Sequence, residues 1–336
     1  GPFWGAIADA LAIRRLVLRF GLALGAVLAL LASQATGFLP LLALIGLLAL
    51  MLVPVAPLLD NYGVNVAERA GHSYGGMRVW GSVGYMVAVY AMGVVMRDDV
   101  TRIFLVAYAL FLGLTLVSVL GLPPLAERTA RPLLGGIRMT RRNRPLLLLL
   151  VIAYLITSGA SIIYVFLGIH VQALGGSNAL VGAAFSASAL SELPVIAFGG
   201  WLMSRLGARR MVVVALVAYL ARFVAFGFIP EPEWLIAAQM LHGLSFGAFL
   251  VASVTLAHRL AGREHSGTAQ ALLSTVSFGL GSITGSLVGG VLLDHVSTFA
   301  IFRGVAVLML VTLALFVVGS RAIGLDHPEA SSRAGT

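Results

Sequence analysis

A glycine, a small polar residue and an arginine pair recur at one spacing in Gly5-Ala-Ile-Ala-Asp9-Ala-Leu-Ala-Ile-Arg14-Arg15 and in Gly200-Trp-Leu-Met-Ser204-Arg-Leu-Gly-Ala-Arg209-Arg210. The second copy is shifted by 195 positions (200 − 5, 209 − 14). Each copy joins two strongly apolar runs. A tandem duplication of one membrane-spanning half explains such a repeat. The motif therefore predicts two pseudo-symmetric halves.

Composition assigns the chain to a lipid environment. Of its 336 residues, 60% are hydrophobic and only 10% are charged, more apolar surface than a soluble domain can hide. We expect an all-α polytopic membrane protein. Ten apolar stretches are long enough to span a bilayer, at roughly 17–34, 37–59, 77–97, 102–123, 146–172, 179–203, 211–229, 233–257, 267–293 and 298–320.

The longest polar stretch, 127–144, separates the two predicted halves. The predicted domains are an N-terminal half at 1–124, a cytoplasmic central loop at 125–145, a C-terminal half at 146–321 and a cytoplasmic tail at 322–336. Only about nine residues precede the first polar junction, about 14 Å of helix, too short to cross a core of about 30 Å. We therefore expect the chain to lack an N-terminal segment.

Loop charge predicts the orientation. All 22 basic residues are arginine, and the net charge is +9. The face that carries both arginine-pair loops collects 18 of them, the opposite face has Arg97, Arg102 and Arg303, and Arg222 lies mid-span. The positive-inside rule then places those loops and the C-terminus in the cytoplasm of a bacterial inner membrane. We interpret the arginines as topology signals, and we expect no nucleic-acid partner.

Several classes of chemistry are excluded by residues that the chain lacks. It has no cysteine, so disulfides and thiolate chemistry are absent. It also has no H-E-x-x-H, phosphate-binding P-loop or G-x-S-x-G motif. We expect no enzyme activity, no cofactor and no metal site.

The duplicated loop resembles the major facilitator superfamily. That family has a G-x3-D-x4-R-R type loop between its second and third helices, and Gly5, Asp9, Arg14 and Arg15 match it. The resemblance implies two six-helix halves, here without helix 1 and part of helix 2, so that the ten spans are helices 3 to 12. It also implies a monomeric secondary transporter that moves a small organic solute by alternating access.

Three stretches resemble the phenylpropionate permease-like branch, which is similar to the lactose and nucleoside proton symporters. They are Tyr74-Gly-Gly-Met-Arg78-Val-Trp80, Ser191-Glu192-Leu-Pro194 and Gln239-Met-Leu-His242-Gly-Leu-Ser-Phe-Gly247. The resemblance implies proton symport and does not identify the solute. In the lactose-permease-like pattern a second acid follows the histidine by one turn. Here that position is Ser245, a departure that bears on proton coupling more than on transport.

Three ionisable residues lie well inside predicted spans: Glu192, Arg222 and His242. A charge at bilayer depth costs at least about 2.5–3.5 kcal/mol, so each should face a partner or a watery cavity. With Gln239 they are the predicted coupling and substrate site. We expect Glu192 to carry the proton, Arg222 to bias its release or to hold an anionic substrate, and His242 to bind substrate or relay.

Structural alternatives stay open for these residues. Glu192 and Arg222 could form a pair that only locks two helices together, and His242 could be a satisfied core histidine. His170 and His258 lie near span ends, where an interfacial position is expected.

The other polar candidates lie at the cytoplasmic face. Asp9 resembles the conformational latch acid of the family, and its counterpart Ser204 predicts a weaker latch in the second half. Asp60, expected at a helix end, forms either a gate ion pair with Arg78 or a solvated cap. The arginine pairs serve topology, gating or both: Arg14, Arg15, Arg209 and Arg210.

The predicted function is proton symport. The alternatives are a proton antiporter that exports apolar compounds and, from a different class, a membrane receptor or scaffold that does not transport. Outward, gradient-driven flux would indicate the first alternative, and binding without flux would indicate the second.

Overall fold

The computed structural model describes residues 14–69, 74–95, 100–121 and 143–323, and all regular structure in these ranges is helical. The helices are α1 (Arg14–Ala32), α2 (Phe38–Leu52), α3 (Val55–Arg69), α4 (Tyr74–Val95), α5 (Val100–Leu120), α6 (Arg144–Ala173), α7 (Asn178–Ala197), α8 (Gly199–Phe228), α9 (Trp234–Gln239), α10 (Ala248–Ser274), α11 (Ser282–Leu293) and α12 (Thr298–Ala322). Two π-helical turns, π1 (Gly243–Gly247) and π2 (Thr275–Gly281), join α9 to α10 and α10 to α11.

The predicted all-α membrane architecture is confirmed. Within the described ranges, eight helical stretches are long and apolar enough to cross a bilayer, and two shorter apolar helices lie at 38–52 and 80–95. Large apolar side chains point outward along them, such as Leu39 at 73% and Val318 at 69% exposure. An outward apolar surface of this kind fits lipid as the surrounding solvent.

The second predicted span is interrupted. Helix α2 ends at Leu52, and α3 begins at Val55 and continues to Arg69. Pro54 lies between them, and proline cannot donate the amide hydrogen bond that a continuous helix needs. Asp60 therefore lies inside α3 and not at a helix end, which corrects the sequence-based placement.

Two glycines break the long helices of the second half. Gly207 in α8 has φ 74°, and Gly262 in α10 has φ 70°. Glycine adopts positive φ without the steric cost that a Cβ would impose. Gly207 thus separates residues 199–206 from the main part of α8, which starts beside the second arginine pair, as the motif predicted.

The first compact unit contains α1, α2, α3 and α5. Helix α1 is its centre and packs against the other three. Its inward side chains Leu18 and Leu22 are fully buried. The leucine-rich face of α1 therefore forms the core of this unit.

The second compact unit contains α6 to α12 together with residues 84–93 of α4. Its largest packing interface joins α8 to α12, and α6 packs against π2, α11 and α12. Asn143 starts α6 by accepting a hydrogen bond from the Leu146 amide at 3.0 Å. Of the predicted central loop, residues 125–142 lie outside the described ranges, so the predicted domain boundaries stay a prediction.

Candidate functional site

The four residues predicted to couple protons and substrate come together inside the second unit. Glu192 lies on α7, Arg222 lies on α8, and Gln239 and His242 lie on the segment that leads from α9 into π1. Gln239 and His242 are three residues apart, a spacing that puts both side chains on one helical face.

A glycine brings α7 and π1 into direct backbone contact. The Gly243 amide donates a hydrogen bond to Ser191 Oγ at 3.0 Å. A Cβ at Gly243 would overlap the Ser191 carbonyl oxygen, so only glycine fits at this crossing. Because Glu192 follows Ser191 and His242 precedes Gly243, the crossing sets the two ionisable side chains next to each other.

Arg222 is the most buried charge of the site, with 2% exposure. Its Nη1 donates to Ser245 Oγ at 2.8 Å and lies 3.1 Å from His242 Nδ1. Its Nη2 donates to Gln239 Oε1. The guanidinium lies 5.9 Å from the centre of the Tyr219 ring. All of these partners are uncharged when His242 is neutral. Ser245 occupies the position at which the lactose-permease-like pattern has an acid.

The Arg222 contact determines which nitrogen of His242 carries the proton. A guanidinium can only donate hydrogen bonds, so His242 Nδ1 must accept. The proton of the neutral ring then lies on Nε2, which is 3.8 Å from Glu192 Oε2. This distance exceeds hydrogen-bond range, so a small movement would be needed to form that bond.

His242 therefore stands between Glu192 and Arg222. The Glu192 side chain is 26% exposed and that of His242 is 8% exposed, so the carboxyl is the outer end of the row. The alternative in which Glu192 and Arg222 pair directly to lock their helices is not the arrangement that the structure has. His242 is buried and one ring nitrogen contacts Arg222, so the alternative of a satisfied core histidine stays open.

A partly open cavity adjoins this row, with an empty volume of about 240 Å³ that includes space open to solvent. It is lined by Ala160, Ile163, Tyr164, Phe185, Ser188, Tyr219, Arg222, Gln239 and His242. Tyr164 stacks on Phe185 with ring centres 6.1 Å apart and meets His242 edge-on at 6.4 Å. The lining of the cavity thus combines aromatic side chains with hydrogen-bonding groups.

Sequence reasoning missed the aromatic side chains of the cavity. Tyr219 could have been found, since it precedes Arg222 by three residues and so shares its helical face. Tyr164 and Phe185 carry no such signal, because aromatic side chains are common in membrane spans. Only the packing of α6 against α7 brings them to the site.

The arginine of the first motif copy fastens the ends of two helices. Arg15 Nη2 donates to the Leu120 carbonyl at 3.0 Å, and Arg19 Nη2 donates to the same oxygen at 2.7 Å. The last carbonyls of a helix have no partner within the helix and carry partial negative charge. Both arginines therefore hold the start of α1 against the end of α5.

The second copy makes an equivalent contact in its own unit. Arg209 Nε donates to Ser320 Oγ at 2.9 Å, which holds the start of the main part of α8 against the end of α12. Arg210 is exposed. In each unit, an arginine of the motif thus joins the helix after the motif to the last helix of the same unit. This structural role differs from the topology and gating roles that the sequence predicted.

The remaining gate candidates are only partly described. Asp9 lies outside the described residues, as do the side chains of Arg14 and Arg78. Asp60 is exposed on α3. The predicted latch and the Asp60–Arg78 gate therefore stay predictions.

His170 is not interfacial, contrary to the sequence-based expectation. It is fully buried, and its Nδ1 lies 2.6 Å from Thr298 Oγ1 at the start of α12. The ring also packs edge-on against Phe302, with centres 4.8 Å apart. Among the described residues no group of three or more His, Asp or Glu side chains could hold a metal ion.

A polytopic helical bundle with an apolar outer surface and a small polar cluster beside an internal cavity has the architecture of a membrane transporter. The chain belongs to the MFS_1 like family, whose model matches residues 1–304. This confirms the predicted membership of the major facilitator superfamily, and the protein is a multi-span membrane transporter.

Individual relatives agree with this assignment. The chain is 30% identical over 327 residues to maltose permease of Geobacillus stearothermophilus, covering 93% of the chain and 81% of the relative. It is 26% identical over 238 residues to a probable 3-phenylpropionic acid transporter of Escherichia coli (strain K12), covering 68% and 61%. The crystal structure of the nucleoside transporter NupG superposes with a TM-score of 0.79 at 18% identity, covering 95% of this chain and 86% of that one, which shows the fold alone.

Proposed function

We propose that the protein moves a small organic solute together with protons by alternating access. The observation that carries the proton part is the row Glu192–His242–Arg222 beside the cavity. A carboxyl, a neutral imidazole with a defined tautomer and a buried cation are the groups needed to bind a proton and sense its presence.

Glu192 is the proton carrier in this proposal. As a carboxylate it balances the Arg222 charge through the ring of His242. Protonation removes the negative charge that faces the His242 Nε2–H, so the contacts of His242 and Arg222 change with the proton. Because His242, Arg222 and Gln239 also line the cavity, the same change reaches the solute.

Solute binding in the cavity is the second part of the proposal. The curated relatives are named for maltose and 3-phenylpropionic acid, which are the first solutes to assay. The empty volume of about 240 Å³ includes space that is open to solvent, so the enclosed part is smaller than a typical ligand site of about 300–1,000 Å³. We infer that the described conformation holds the site partly closed and that it widens when the solute enters.

The test is uptake into proteoliposomes that contain the complete transporter. An imposed pH gradient should drive accumulation of the radiolabelled solute in the wild type. Glu192→Gln should abolish this accumulation and preserve solute exchange across an equilibrated membrane, since exchange needs no net proton movement. Glu231→Gln is the matched control because Glu231 is an exposed acid on the turn before α9.

Unchanged proton-driven accumulation in Glu192→Gln would refute the carrier role. Proton-driven efflux without import would favour the exporting antiporter, and solute binding without any flux would favour the receptor. We also propose a monomer in a bacterial inner membrane with a cytoplasmic C-terminus. A green fluorescent protein fused to the C-terminus should fluoresce, and alkaline phosphatase fused there should be inactive.

A further inference from the structure

The guanidinium of Arg222 keeps two hydrogen-bond donors without partners among the described residues. A guanidinium has five N–H groups. Nη1 contacts His242 and Ser245, and Nη2 contacts Gln239, which accounts for three of the five. The Nε N–H has no partner among the described residues although it is buried. The two remaining donors are the Nε N–H and one N–H of Nη2, and Arg222 lines the cavity.

Among the described residues of the row, protonation of Glu192 changes the balance of charge. Arg222 carries one positive charge, and the carboxylate of Glu192 carries one negative charge. When Glu192 takes up a proton, the site is left with the Arg222 charge and with partners that do not compensate it. A buried cation without a counterion is costly, so a proton-loaded site favours a ligand that supplies one negative charge.

We propose that Arg222 binds the carboxylate of a monoanionic solute through the guanidinium donors that have no partner among the described residues, and that this solute enters together with the proton on Glu192. A carboxylate can accept charge-assisted hydrogen bonds from more than one guanidinium donor. The proposal rests on the proposed function, since it assigns the solute class of the same cavity. One proton and one monoanion together carry no net charge, so the transport step is electroneutral.

The cavity lining indicates the remainder of the solute. Ile163, Tyr164 and Phe185 line the cavity on the α6 and α7 side. A flat aromatic or short aliphatic body attached to the carboxylate fits this composition better than a polyol, which would need hydrogen-bond partners around its whole surface.

Binding to matched pairs of probes tests the proposal. Benzoate and benzamide, phenylacetate and phenylacetamide, and hexanoate and hexanamide differ in the charged group and little in size. Each is titrated against the complete, detergent-purified transporter, and binding is followed by thermal stabilisation. At least one acid should bind about 10- to 150-fold more tightly than its amide, the range expected for a hydrogen-bonded charge.

Substitutions of Arg222 test whether the preference for the acid over its amide depends on the guanidinium. Arg222→Gln should abolish the preference for the acid, and Arg222→Lys should weaken it because lysine keeps the charge without the fork. Arg205→Gln is the matched control, since Arg205 is an exposed arginine of the same helix that lies over Trp201. If Arg222→Gln does not fold, the acid–amide comparison in the wild type and in Arg222→Lys still tests whether Arg222 binds the carboxylate.

In proteoliposomes, uptake of the bound acid should respond to the pH gradient and stay unchanged when valinomycin and potassium impose a membrane potential. The proposal is overturned if no acid binds more tightly than its amide, or if the preference survives in Arg222→Gln. Proton-driven uptake of maltose with exclusion of all acids would overturn the anion proposal and leave the proposed function standing. Acid preference without any proton-driven flux would support the carboxylate contact with Arg222, and would overturn both the joint entry of solute and proton and the proposed function.

Discussion

His242 contacts one charged residue through each ring nitrogen, so two substitutions can separate the two contacts. An asparagine amide reaches the position of Nδ1, and a glutamine amide reaches the position of Nε2. His242→Asn should therefore keep an acceptor for Arg222 and lose the group that faces Glu192. His242→Gln should keep a donor toward Glu192 and leave Arg222 without this acceptor.

The two distances determine the expected magnitudes. The Arg222–His242 contact at 3.1 Å is within hydrogen-bond range, whereas the His242–Glu192 approach at 3.8 Å is not. A hydrogen bond to a charged group contributes about 1.5–3 kcal/mol, equivalent to a factor of about 10–150. His242→Gln should raise the half-saturation concentration for solute exchange by this factor. His242→Asn should change exchange by less than about threefold, corresponding to well under 1 kcal/mol.

The proton-coupled step should show the opposite order. Because His242→Asn removes the link to Glu192, it should reduce pH-gradient-driven accumulation to the level of passive equilibration. Both readouts come from the same proteoliposomes, with and without an imposed gradient. Both variants lose the ring contact with Phe246, whose centre is 5.1 Å from that of His242, so this loss does not distinguish them. Normal pH-gradient-driven accumulation in His242→Asn would refute the assigned tautomer and the order of the row. So would a higher half-saturation concentration for solute exchange in His242→Asn than in His242→Gln.

Two further predictions concern stability and helix contact. Arg209→Ala should lower the free energy of unfolding by about 1–3 kcal/mol, because it loses the hydrogen bond to α12. Arg15→Ala should lower it by less, because Arg19 donates to the same carbonyl. Arg210→Ala should lower it by under about 0.5 kcal/mol, because Arg210 is exposed. Equilibrium unfolding in mixed detergent measures all three, and a larger loss in Arg210→Ala than in Arg209→Ala would contradict the clamp. Gly243→Ala places a Cβ against a backbone oxygen of α7, which should cost about 1–3 kcal/mol and impair proton-driven uptake. Gly304→Ala, with nothing within 4 Å of the added Cβ, should be neutral in both assays.

The membrane architecture and the identity of the buried polar residues could be predicted from the chain because both follow from local rules. Apolar runs of sufficient length must cross a bilayer, and ionisable groups inside such runs are too costly to be incidental. Glu192, Arg222 and His242 could be selected on this ground alone. Their order in space could not, because it depends on which helix faces meet.

Other placements depended on contacts between distant parts of the chain. His170 lies near the end of its span, yet α12 covers it and Thr298 accepts or donates a hydrogen bond to its ring. Arg15 is a charge in a loop motif by sequence, yet its partner is a carbonyl 105 residues away. Such hydrogen bonds have no sequence signature, since any polar atom at the end of the neighbouring helix can be the partner.

The repeated motif and the composition thus determined a helical protein in lipid, built from two related halves, and the sequence predicted three ionisable residues and a glutamine as its functional site. The tertiary structure decided how those residues relate. The contact of Gly243 with Ser191 brings two helices so close that His242 lies between Glu192 and Arg222. The described partners of Arg222 are uncharged, and its Nε N–H has no partner among the described residues. The physical reason is that burial cost depends on each residue by itself, whereas charge balance and hydrogen bonding depend on which neighbours the fold provides.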